Sequence, residues 1–360
     1  MGKLHNLHYL RGVAALLVVF LHYNFVLPEY AQKYVTTDGV GVDTFFIISG
    51  FIITYATQKK ESVTEFAVKR LFRIYPLFIV VWFIASLTIY SNASWKDLIK
   101  SLLLFHNDYN YRNAPAYGFN LMGTPWTLTY EIYFYTIFCV SMAISQKYRV
   151  AVCSAIILII VAGMQLIFNH EFSFSSQMSA KLYISEWWMV PTKILSTTVL
   201  FEFIAGMLIA KAFMQFNHKP GKSTTCYILL TCLFVIISVV IIFGFGPVGL
   251  FGSFWVALPL LIATVCIDKY GPTFKSSFLN NAGNISYSLY IIHFPLMTFF
   301  RQYFFEKHQL TDTQRFICFS LMIALCYIAA NIAHTLIEKP AIKLSRKICM
   351  RFKAPPLNFS

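Results

Sequence analysis

Apolar residues along this chain come in blocks of about 20, separated by short polar segments, and this pattern repeats from one end to the other. A block of that length, wound as a helix, spans about 30 Å, the thickness of a bilayer's hydrocarbon core. Averaging hydropathy over windows of about 19 residues predicts about ten such helices, near residues 7–27, 39–57, 74–91, 125–145, 150–168, 194–214, 226–245, 248–267, 283–304 and 315–337. The expected fold is all-α, a polytopic membrane helix bundle over residues 1–340 followed by a basic tail, residues 341–360. Two connecting segments are longer than a turn requires. Residues 92–124 contain the apolar run Leu102-Leu103-Leu104-Phe105, and residues 169–193 carry Trp187 and Trp188. Each is expected to lie along the membrane interface as an amphipathic or re-entrant piece.

Composition strengthens this reading. Hydrophobic residues make up 58% of the chain and charged residues 12%, against about 25% charged in soluble domains, so a soluble fold could not hide the apolar surface. A formal charge of +14 invites comparison with nucleic-acid binders, but the basic residues sit in short segments between spans and form no stripe, which excludes that partner. Their distribution reports orientation instead. Lys33, Lys96, Lys100, Arg112, Lys181, Lys193, Arg301, Lys307 and Arg315 fall on one side, and the rest of the 29 Lys and Arg residues, from Lys3, Lys59, Lys60 and Lys219 to the C-terminal group, fall on the other. The positive-inside rule then puts both termini in the cytoplasm. The first span follows Lys3 and Arg11 as a signal peptide would, yet Leu21-His22-Tyr23-Asn24-Phe25 offers no small-x-small cleavage site. The eight cysteines lie in or beside spans and read as small core residues, with no disulfide framework or metal site expected. The tail after Pro340 is expected to lie on anionic lipid.

Ionisable groups inside spans are expensive, so each is a functional candidate. Arg11 and His22 share a span, and 11 residues at 100° each bring them to one face with a rise of about 16.5 Å. A snorkelling arginine and a hydrogen-bonded core histidine are the structural alternative. Asp43 lies within Asp38-Gly39-Val40-Gly41-Val42-Asp43. Glu131 lies in a Pro125-initiated span behind Trp126, which the pattern places at the interface. His22, Asp43 and Glu131 fall at one depth, about 6 to 9 Å below the outer ends of their helices. They are candidates for a base and its orienting partner, or for three separately satisfied polar groups. Arg70 and Arg73, three apart, form a guanidinium pair suited to phosphate oxygens or to a membrane anchor. Ser286, Tyr290 and His293 recur as a polar stripe on a helix otherwise suited to lipid, for structure or for substrate. Glu202 is a further buried acid with no evident partner.

The order of these segments resembles the membrane acyltransferase-3 family, bacterial enzymes that O-acylate cell-surface and exported glycans. The resemblance rests on Leu10-Arg11-Gly12-Val13-Ala14-Ala15 with His22, Gly41 to Phe51, Arg70-Leu71-Phe72-Arg73-Ile74-Tyr75-Pro76, Trp126 to Glu131, Ile285 to His293, and Glu338-Lys339-Pro340. It implies acyl-CoA, usually acetyl-CoA, as co-substrate, with no permanently bound cofactor. Arg11 and His22 would be the functional pair, and Arg70 and Arg73 would hold the donor from the cytoplasmic side. The acceptor would be a carbohydrate, free or lipid-linked, at the bacterial inner membrane, with separate glycan-assembly proteins as further partners. His22, oriented by Asp43 or Glu131, would then deprotonate the acceptor hydroxyl. A transporter or flippase for a lipid-linked sugar, and a non-catalytic assembly partner, are the alternatives from other classes.

Overall fold

The computed structural model describes residues 4–35, 39–58, 61–216, 221–244, 246–271 and 275–353; Lys3, Asp38, Lys59, Lys60, Lys219 and residues 354–360 of the tail lie outside them. Helices joined by turns and irregular loops account for the fold, with no strand among the described residues. The long helices are α1 (His5–Tyr23), α2 (Val40–Ala56), α3 (Val63–Thr88), α4 (Trp126–Ile144), α5 (Arg149–Asn169), α6 (Leu200–Gln215), α7 (Lys222–Phe243), α8 (Phe254–Tyr270), α9 (Ser277–Tyr303) and α10 (Asp312–Ala333). The chain then passes through a π-helical turn, His334–Glu338, into α11 (Lys339–Lys353). Each apolar block falls on one long helix.

Among the described residues, five helical stretches suffice by length and composition to cross a membrane, namely His5–Val26, Val63–Thr88, Trp126–Ile144, Arg149–Asn169 and Asp312–Phe352. A sixth forms when Trp187–Leu195 and Leu200–Gln215, bent by 54°, are taken as one. The others fall short for visible reasons. Helices α2 and α8 have 17 residues each, about 26 Å of rise. Helix α9 is long enough, but Asn280, Asn281, Asn284, Ser286 and Ser288 dilute it.

Helix starts follow local chemistry. Ser62 Oγ accepts the Glu65 amide at 3.1 Å while the Glu65 carboxylate accepts the Ser62 amide at 3.2 Å, and Thr311 with Gln314 repeats this box at the start of α10. Packing then depends on small residues. A Cβ on Gly50 would collide with the Phe203 carbonyl, and one on Gly206 with that of Ile47, so α2 and α6 cross backbone to backbone. Gly12 and Gly283 do the same for α1 and α9. Large apolar side chains point outward on the flanking helices, among them Phe83, Ile84 and Leu87 on α3, Ile159 and Ile167 on α5, and Leu321 and Ile328 on α10. These belts suit a hydrocarbon solvent.

The start of α1, the α2–α3 and α4–α5 links and α11 gather at one end, the basic end. There Asn6 donates its backbone amide to Asp268 at 2.8 Å, Gln146 Nε2 donates to the Glu61 carbonyl at 3.1 Å and Arg149 Nε to Thr57 Oγ1 at 3.0 Å, and Cys349 packs on the Glu65 carbonyl. The long segments meet at the opposite, loop end, where Asn110 Nδ2 donates to the Ile184 carbonyl at 3.0 Å and Tyr117 OH to that of Lys193 at 3.0 Å. Within 92–124, Trp95–Leu102 is a short amphipathic helix, after which the chain folds over the first turn of α4 and buries His106, Tyr109 and Tyr117. Segment 170–186 is irregular, and Trp187 and Trp188 stand 73% and 64% exposed, as an interface would favour.

Candidate active site

Helices α1, α2, α3, α4 and α9 enclose a cleft of about 830 Å³, counted to its mouth. Three arginines from distant parts of the sequence line it: Arg11 from α1, and Arg70 and Arg73 from α3. Arg11 Nη2 donates to the Gly283 carbonyl at 2.6 Å, an approach that the glycine contact between α1 and α9 allows. Arg73 pairs with Glu338 and lies over the Tyr287 ring at 5.3 Å. Arg70 lies over Phe66 at 5.2 Å and Tyr135 at 5.7 Å. The Nε atoms of Arg11 and Arg70 are buried and have no hydrogen-bond partner. Buried guanidinium donors left open beside a cleft are suited to anionic oxygens brought by a ligand.

Glu131 faces the same cleft, where Ser49 Oγ donates to its Oε1 at 3.0 Å and Tyr135, one helical turn on, donates its hydroxyl. Tyr287 donates to the Ile74 carbonyl at 2.5 Å, and Tyr290 to that of Thr124 at 2.9 Å. Formally, three guanidiniums meet the carboxylates of Glu131 and Glu338, which leaves the cleft positive. Glu338, on the π-turn, also accepts from Ser288 Oγ at 2.7 Å and pairs with His334 Nδ1 at 2.9 Å. It is held on three sides with Arg73 in place.

The structure therefore brings Arg11, Arg70, Arg73 and Glu131 together. It does not assemble His22, Asp43 and Glu131 as a base with its partner. His22 Nδ1 lies 2.8 Å from the Val18 carbonyl, and the ring faces His293 with centroids 5.1 Å apart. The fully buried Asp43 carboxylate accepts the Gly249 amide at 3.0 Å and lies beside Glu202. Glu131 meets Ser49, six residues and about 9 Å further along α2 than Asp43, so the three groups do not share one level, and each has its own neighbours. Arg11 and His22 do share a face, both meeting α9.

On α9, Ser286, Tyr290 and His293 are buried in the bundle, and Ser286 and Tyr290 line the cleft. They split among three tasks: Ser286 Oγ donates to the Gly283 carbonyl at 3.0 Å, Tyr290 reaches Thr127 and Thr124, and His293 opposes His22. Trp126 is not interfacial. It is 6% exposed and packs edge-on against Phe46 and Tyr130, because the 103–125 loop covers the start of α4. Residue reasoning gave no role to Glu338, Ser49, Tyr135 or Tyr287. The i, i+4 spacing of Glu131 and Tyr135 was a usable signal for Tyr135, whereas nothing local points from Glu338 to Arg73.

A family profile described as an acyltransferase domain matches residues 4–331. Among curated proteins, the chain is similar to the acyltransferase MdmB of Streptomyces mycarofaciens, 26% identical over 95% of this chain and 92% of that protein. It is also similar to the exopolysaccharide production protein ExoZ of Rhizobium meliloti, 24% identical over 75% of this chain and 80% of that one. No solved structure matches it significantly.

Proposed function

Because the chain belongs to the acyltransferase-3 family and is an acyltransferase, we propose that it takes an acyl group from cytoplasmic acyl-CoA, acetyl-CoA in the first instance. The group passes to a hydroxyl of a carbohydrate presented on the other side of a bacterial inner membrane. The observation that carries this reading is the convergence of Arg11, Arg70 and Arg73 on one cleft, with two buried donors left unpartnered. A CoA headgroup supplies phosphate oxygens of the matching kind. In this reading all ten long helices cross the membrane and the basic end faces the cytoplasm, where α11 lies on anionic lipid.

From the arginines the thioester arm extends along α1, over the about 16.5 Å that separates Arg11 from His22. His22 Nε2 takes the proton of the acceptor hydroxyl as its oxygen attacks the thioester carbonyl; the C–S bond breaks, and the departing thiolate takes that proton from His22. Glu131, fixed by Ser49 and Tyr135, offsets the guanidinium charge and orders the cleft. The similarity to an exopolysaccharide production protein supports a polysaccharide as the acceptor.

Purified protein in liposomes, given radiolabelled acetyl-CoA and candidate glycans, is expected to form a labelled, alkali-labile ester. His22→Gln is expected to bind CoA and to melt as the parent does, while ester formation falls about 10²–10⁴-fold, the range for loss of a general base. A stable, CoA-binding His22→Gln variant with near-normal turnover would refute the assignment of the base.

A further inference from the structure

Toward the loop end of α1 and α9, beyond the residues that line the cleft, the two helices hold an arrangement that donor binding does not use. The rings of His22 and His293 lie with centroids 5.1 Å apart and planes tilted by 57°. Each Nδ1 sits against the carbonyl one turn earlier on its own helix, Val18 at 2.8 Å and Leu289 at 3.0 Å. A carbonyl oxygen only accepts, so each Nδ1 carries the hydrogen and the Nε2 of each neutral ring keeps a lone pair. The Nε2 of the fully buried His293 has no hydrogen-bond partner among the described residues, and His22 is partly exposed, with only its Nδ1 bonded within the protein. A histidine that served only the core would have that atom satisfied.

The surrounding side chains cannot supply the missing donors. Phe294 stands edge-on to His22 at 5.6 Å, and Phe45 packs on Tyr290. Tyr290 lies 5.8 Å from His293, but its single hydroxyl hydrogen is engaged with Thr124 or Thr127. Two imidazole lone pairs on adjoining rings are thus left for O–H donors from a ligand. One isolated hydroxyl has a single hydrogen and would leave an imidazole unpaired.

We propose that the two Nε2 atoms receive two hydroxyls of one acceptor, His22 the reacting hydroxyl and His293 the hydroxyl on the neighbouring carbon, so that the site selects polyols with adjacent hydroxyls over simple alcohols. This rests on the acyl-CoA-dependent reading above. In the transfer, His22 Nε2 takes the proton of the reacting hydroxyl, the new O–acyl bond forms, the C–S bond breaks and the thiolate is protonated. His293 stays neutral throughout and only holds the second O–H, fixing which oxygen attacks. A bound water also carries two hydrogens and is the competing occupant.

The experiment uses the full chain in lipid nanodiscs with acetyl-CoA, reading thiol release with trans-1,2-cyclohexanediol or cyclohexanol as the acceptor probe. The expected result is a kcat/KM for the diol about tenfold or more above that for the mono-alcohol. His293→Phe is expected to lower the diol to the mono-alcohol's level, and His293→Gln, whose amide oxygen accepts an O–H, to keep most of the preference. The comparison of the two probes on the unmodified protein needs no variant to fold. Equal values there, or a preference that survives in His293→Phe, would overturn the proposal in favour of a water between the rings. Thiol release to water alone, with neither alcohol reacting, would overturn it and leave the donor reading standing. Absence of thiol release under every condition would overturn the donor reading, and this inference with it.

Discussion

Arg73 shows how much a single side chain here depends on its shape. It meets Glu338 through one edge of the guanidinium while its face lies over Tyr287, and a lysine ammonium can do only one of these at a time. We expect Arg73→Lys to fold and insert, yet to weaken CoA binding by about tenfold to a hundredfold, the worth of one charge-assisted hydrogen bond. Titration calorimetry with CoA on the purified variant checks this, and an unchanged affinity would return the arginine pair to a membrane-anchoring role. The spacing of Arg70 and Arg73 could be read from four consecutive positions in the chain. Glu338 could not, because the bond that gives it meaning joins residues 265 apart.

Helix α2 owes its place to glycine. Since a Cβ on Gly206 would run into the Ile47 carbonyl, Gly206→Ala must push α6 off α2, and we expect it to cost about 1–3 kcal/mol as an overpacked contact. Gly163→Ala, at a position with open space around it, serves as the control and should leave the melting temperature unchanged or slightly raised. The loop over α4 makes a different prediction. His106, outside the spans, is pushed down to about 3 by burial, with its Nε2 on the Trp126 carbonyl and Thr129. The unfolded chain, with its histidine at the ordinary value of about 6.5, binds the proton first as pH falls. Stability from this group is therefore complete above pH about 6.5 and is lost progressively as pH falls from there toward about 3, by up to about 1.4 kcal/mol per unit. Comparing thermal melts at pH about 7 and about 5, we expect His106→Gln to lose less than the parent does. An identical loss in both would place the acid sensitivity elsewhere.

For the whole molecule, the proposed transfer has donor and acceptor approach from opposite sides. Single cysteines at Thr64, Lys347 and Tyr111, all exposed, test this in a cysteine-free background. Membrane-impermeant labelling is expected to reach 64 and 347 only from the cytoplasm and 111 only from outside. Reaction of 64 and 111 from the same side would remove the geometric basis of the transfer.

Two properties of the molecule follow from the sequence alone: that helices form at all ten apolar blocks, and that arginines and acids stand among them. Both are local, since hydrophobic run length, Ser62 and Thr311 capping and the i, i+3 spacing of Arg70 and Arg73 act within a few residues. The azimuth of each helix is not local. It was decided by Gly12 against Gly283 and Gly50 against Phe203, contacts that fix rotation only when two distant helices touch. That rotation separated Asp43 from His22 and set His293 against His22, while the loop over α4 drew Trp126 into the core. Spacing along one helix is fixed by residue count at about 1.5 Å per step, whereas rotation and the offset between helices are fixed by packing, so the spacing of polar groups within each helix was legible in the chain and their partners were not.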